Sequence, residues 1–159
     1  MRWQDWIAAT FIVLSAGLQS AFSASSNTAA LLNFPMIAIA LLSTYPRIHV
    51  VVLTTAFAVT RIAIGTESIP ITLFRSILAT FLSIKSALSL INHGWLLAVI
   101  TVISCIVIDL IAAVIANPKY AAMLTMTDIL LSVLFNAGIT LLCAVPLEIY
   151  YRKKHIHGF

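Results

Sequence analysis

Five ionisable side chains stand where few belong. Arg61, Arg75, Asp109 and Asp128 lie inside long apolar runs, and Glu67 lies in a short polar turn between two of them. Two kinds of chemistry can use such a set. Two aspartates brought together in a membrane can share a proton and act as an acid–base dyad, as intramembrane hydrolysis requires. Two arginines facing aspartates instead make compensated ion pairs, because a lone charge at the bilayer centre costs at least ~2.5–3.5 kcal/mol. The contexts favour pairing. Asp109 sits in Ile-Val-Ile-Asp-Leu-Ile and Asp128 in Thr-Met-Thr-Asp-Ile-Leu, neither of them a polar catalytic motif. Nearby arginines also favour two charged carboxylates, whereas a dyad must hold a proton. The chain has no nucleotide-binding loop, no HExxH and no GxSxG. The reading is therefore non-enzymatic, with no cofactor. Arg61 or Arg75 pairs with Asp109 or Asp128, with Glu67 just above them. The pairs serve as a lock between helices, with snorkelling of the arginines to the outer headgroups as its variant, or as the lining of a polar groove for a ligand or a partner's helix.

The elements that carry these residues must be membrane spans. Hydrophobic residues make up 62% of the 159 positions and charged residues only 9%, and the mean hydropathy is +1.09. A soluble domain is about half apolar and about a quarter charged, so a soluble globular enzyme is excluded. With 5 Gly, 5 Pro and 2 Cys, so are collagen-like chains and disulfide-rich mini-proteins. A spanning helix needs ~20 apolar residues. Six runs approach this, at about 6–24, 29–45, 48–64, 71–91, 95–116 and 121–150. They predict an all-α polytopic membrane protein forming a single transmembrane domain. The first run ends in Ser20-Ala21-Phe22-Ser23-Ala24 like a signal peptide, but Asp5 spoils a basic leader, and a retained span is expected. Pro46 closes the second run, Pro70 opens the fourth and Asn117-Pro118 closes the fifth. The fourth run carries both Arg75 and Lys85, which leaves a tilted or re-entrant segment open there.

Six spans put both termini on one side. Arg2, Arg47, Arg152, Lys153 and Lys154 fall on that side, against Glu67 and Lys119 on the other. The positive-inside rule then makes the termini cytoplasmic. Trp3, Trp6, Tyr45, Trp95, Tyr150 and Tyr151 line the inner interface and Tyr120 the outer one. At ~1.5 Å per residue, Arg61 and Arg75 lie roughly 5–7 Å and Asp109 and Asp128 roughly 10–12 Å below the outer ends of their spans. Lys85 lies toward the inner half. Asn33 and Asn136 suit hydrogen bonding between helices, and Ala8, Ala9, Ala16 and Gly17 suit close helix contact. Cys105 and Cys143 read as buried small hydrophobes. His49 and His93 fall at predicted cytoplasmic ends, at headgroup level, while His155 and His157 form a His-x-His in the tail with no carboxylate or cysteine near them, so no metal site is expected. The net charge is +4. The basic run Arg152-Lys153-Lys154 reads as a topology signal or a contact with anionic lipid, not with nucleic acid.

Three stretches resemble a known family. They are Asn33-Phe34-Pro35-Met36-Ile37-Ala38, the segment Arg61-Ile62-Ala63-Ile64-Gly65-Thr66-Glu67-Ser68-Ile69-Pro70, and Ile106-Val107-Ile108-Asp109-Leu110 taken with Val133-Leu134-Phe135-Asn136-Ala137 and the closing Tyr151-Arg152-Lys153-Lys154. With the length and layout, they resemble MreD, the small membrane subunit of the bacterial rod-shape system. The resemblance implies a scaffold in the inner membrane that binds the membrane helix of MreC. With MreB, RodA and a class B penicillin-binding protein, it would help assemble the cell-wall elongation complex. That family carries an aspartate near the end of its third span, where this chain has Arg61. MreD is also similar in fold to the substrate-binding (S) subunits of energy-coupling-factor vitamin transporters. A transporter subunit is therefore the alternative, followed by an accessory subunit of another large membrane complex.

Overall fold

The computed structural model describes residues 3–23, 32–45, 48–64, 68–90, 94–121 and 125–156. Among these residues all regular structure is helical. In chain order the elements are α1 (Trp3–Ser23), α2 (Phe34–Thr44), α3 (Val50–Ile64), α4 (Ile69–Ile77), a π-turn (Leu78–Leu82), α5 (Ser83–Leu90), α6 (Gly94–Ala116), the short α7 (Pro118–Ala121) and α8 (Met126–Ile156). The π-turn joins α4 and α5 into one continuous rod. Among the described residues, three helical stretches are long and apolar enough to cross a membrane: Ile69–Leu88, Gly94–Ala116 and Met126–Arg152. The fourth run thus forms a full-length rod.

Two of the runs differ most from the sequence reading at their boundaries. The second run begins its helix at Phe34, not near residue 29. Asn33 is the N-cap, its side chain accepting the Met36 N–H at 3.3 Å, and Pro35 occupies the first turn, where its missing N–H costs nothing. At 11 residues, α2 is roughly 16 Å long, about half of a ~30 Å hydrocarbon core. The last helix begins at Met126, not near 121, and continues past Tyr150 into the basic tail. Its start is set by Thr125, whose hydroxyl accepts the Asp128 N–H at 3.1 Å, an N-cap arrangement.

The core forms around α2 and α6. Six consecutive α2 residues, Pro35 to Ala40, are buried, because α2 is wrapped by α1, α3, α6 and α8. Ile12, Ile39, Leu53, Phe57 and Val102 fill the space between these helices. Small side chains allow close approach: Ala8, Ala16, Ala79, Ala98 and Ala112 are all buried. Gly17, expected in such a contact, instead faces open space. Cys105 is buried as expected, but Cys143 is exposed. The reason is the position of α8, which buries only Asn136, Thr140 and Ala144 fully against the bundle and leaves much of its remaining surface exposed. Only 17% of its apolar window is buried, against 44% for the α4–α5 rod.

Candidate functional site

Asp109 stands about ten ångströms from the C-terminal end of α6, by helical rise, and two arginines converge on it. Arg61 comes from the last turn of α3 and places Nη1 at 2.6 Å from Oδ1. Arg75 comes from the last turn of α4 and grips both oxygens, Nε to Oδ1 at 3.2 Å and Nη2 to Oδ2 at 3.0 Å. The Arg75 contact is the two-pronged fork that guanidinium geometry matches to a carboxylate. Phe57, one turn before Arg61, supports it from below, with the guanidinium carbon 5.5 Å from the ring centroid. That distance suits a cation–π contact. The side chains of Arg75 and Asp109 are 9% and 14% exposed, and that of Arg61 is 23% exposed. The cluster is therefore an embedded ion triad with one edge, Arg61, open to the surroundings.

The elements below the triad hold it in register. α4 and α6 run antiparallel, so Arg75 meets Asp109 and, one turn further in, Ala79 meets Cys105. The Cys105 thiol donates to the Ala79 carbonyl at 3.1 Å. That carbonyl lies within the π-turn, where the i→i+5 pattern disturbs the usual helical ladder. Beside it, the Thr80 hydroxyl donates to the Ser76 carbonyl at 2.7 Å and lies 2.8 Å from the Thr54 hydroxyl of α3. Three helices are thus tied together just inside the triad. In a medium without water, each of these polar groups needs such a partner.

Asp128 does not join the arginines. It is exposed in the first turn of α8, where its carboxylate accepts from the Thr125 hydroxyl at 2.5 Å. The depth inferred from a span starting at 121 is corrected by the later helix start. Asp128 sits only about 3 Å inside α8, by helical rise. The two aspartates therefore form no dyad. Glu67 lies outside the described residues, as do Arg2 and Arg47 of the topology count. Arg152 pairs with Glu148 one turn earlier, at 2.6 Å. Lys153 and Lys154 continue the same helix, but their side chains lie outside the description.

Asn136 joins two elements, as its type suggested. Its Oδ1 accepts the backbone N–H of Asn33 at 2.7 Å, and its Nδ2 donates to the Ser132 carbonyl at 2.7 Å. Gln19 of α1 completes this node, accepting the Phe34 N–H at 2.8 Å and donating to the Leu32 carbonyl. Helix α2 therefore starts inside the protein with side chains of α1 and α8 satisfying its first N–H groups. Gln19 and Glu148 were missed by the sequence reading. Glu148 had a signal, the i,i+4 spacing to Arg152; Gln19 had only its polarity within an apolar run. No protein family, no curated protein and no solved structure matches the chain.

Proposed function

We propose that this chain is a non-catalytic scaffold subunit of the bacterial inner membrane, resembling MreD. It spans the membrane six times with both termini in the cytoplasm. Its partner is an MreC-like single-span protein, and the pair helps assemble the cell-wall elongation complex with MreB, RodA and a class B penicillin-binding protein. The observation that supports this reading is the Arg61–Asp109–Arg75 triad. Two cations are fixed on one carboxylate where α3, α4 and α6 meet, and Arg61 remains at its open edge. A rigid polar edge on an otherwise apolar flank suits recognition of a partner's membrane helix carrying a polar group at the same depth.

The test is purification from native bacterial membranes in a mild detergent, followed by mass spectrometry of co-purifying proteins and small molecules. A single-span protein with a periplasmic coiled coil, or a class B penicillin-binding protein, is expected with the wild type. Either should be reduced at least tenfold with Arg61→Gln in a chain that still folds. An ATPase pair with a retained vitamin would replace this reading with the transporter S subunit.

A further inference from the structure

At the other end of the bundle, α6 and α8 leave a groove of about 240 Å3 lined by Trp95, Val145, Glu148, Ile149 and Arg152. We propose that this groove binds one anionic phospholipid, with the phosphate on Arg152 and the first acyl carbons along Val145 and Ile149. The proposal stands apart from the scaffold reading and needs none of its partners.

The order of side chains matches the order of parts in a lipid. Val145, Ile149 and Arg152 follow at i, i+4 and i+7, so they share one face of α8. The apolar pair lies toward the middle of the bundle and the guanidinium toward the tail. Trp95 is 39% exposed and supplies the amphipathic ring that suits headgroup depth. Both oxygens of the single carboxylate are already engaged. Glu148 Oε2 accepts the Trp95 backbone N–H at 2.7 Å, and Oε1 accepts from Arg152 Nη2 at 2.6 Å. Gly94 permits this approach, since a Cβ there would meet Glu148 Oε2 at 3.2 Å. Glu148 and Arg152 thus offset each other's charge before any ligand arrives. A guanidinium carries five N–H donors, and the Arg152 side chain is 69% exposed, so it can take a phosphate without releasing Glu148. Lys153 and Lys154 follow directly in the sequence, which leaves the end of α8 strongly positive.

The test is native mass spectrometry of the full chain in a mild detergent. It is offered equimolar phosphatidylglycerol and phosphatidylcholine with identical acyl chains. Wild type should retain phosphatidylglycerol at least about fivefold over phosphatidylcholine, the preference one basic residue supplies near an anionic surface. Arg152→Gln should remove about fivefold of that preference. Lys85→Gln, which removes a cation on another helix, should leave it unchanged. Equal retention of the two lipids by wild type overturns the site. A preference that survives Arg152→Gln, or that falls equally with Lys85→Gln, overturns it as well. Displacement by millimolar inorganic phosphate also overturns it, because the apolar wall would then contribute nothing.

Discussion

Asp109 answers two cations at once, and this sets the cost of each substitution. Asp109→Asn leaves two embedded guanidiniums without a carboxylate and should destabilise the protein by about 3–5 kcal/mol. Arg61→Gln leaves the Arg75 fork intact and should cost about 1–2 kcal/mol. Asp128→Asn removes only a helix-end contact and should cost about 1 kcal/mol or less. Unfolding in detergent micelles ranks the three; an Asp109→Asn variant no weaker than Asp128→Asn would refute the triad. The charged set was legible in the sequence because each member interrupts an apolar run. The choice between the two aspartates was not. Depth along a helix can be counted from residue numbers, but the lateral position of a helix cannot. The one available clue was local: Thr125 followed three residues later by Asp128 marks a helix start. A carboxylate in a first turn has no need of an arginine.

At the scale of elements, the short α2 and the long, mostly exposed α8 carry the clearest expectations. Asn136→Leu would leave the Asn33 N–H without its side-chain acceptor, inside the protein, at a cost of about 1–3 kcal/mol. Gly138 is a helical glycine, and a Cβ added there would meet nothing within 4 Å. Gly138→Ala should therefore stabilise α8 by about 0.5–1 kcal/mol, seen as a higher midpoint in the same unfolding assay. The start of α2 was written in the sequence as Asn33-Phe34-Pro35, a cap followed by a first-turn proline. The apolar residues before it masked that signal, because hydropathy measures composition and not hydrogen bonding. The π-turn had no signature at all. Leu-Ala-Thr-Phe-Leu is an ordinary helical string, and the turn it forms lies against α3 and α6.

Across the whole molecule, burial is uneven. The α4–α5 rod hides 44% of its apolar window, while α8 hides 17%. The bilayer, or another helix, must cover the rest, since exposed apolar surface on this scale is not tolerated in water. The proposed topology makes a direct prediction. A cysteine at Lys119 should react with a membrane-impermeant thiol reagent in intact spheroplasts. A cysteine at His155 should react only after permeabilisation. Labelling of both from outside would remove the six-span arrangement. The membrane class was legible from composition, because a chain with 9% charged residues has no means of covering itself in water, and the all-helical class from apolar runs near the length of a spanning helix.

The π-turn has one more consequence, for insertions and deletions. A helix that must face its neighbours correctly along its whole length normally cannot lose a residue, because each step turns the chain by about 100°. The α4–α5 rod carries a spare step at Leu78–Leu82. Deleting Leu78 should let an ordinary α-helical ladder close there, with Arg75 and Ile84 both kept on their original faces. The same deletion at Val107, between Cys105 and Asp109 on α6, has no slack to absorb it and should swing Asp109 away from both arginines. The first shortened chain should purify folded and the second should not, so an irregular turn of helix is here the more forgiving one.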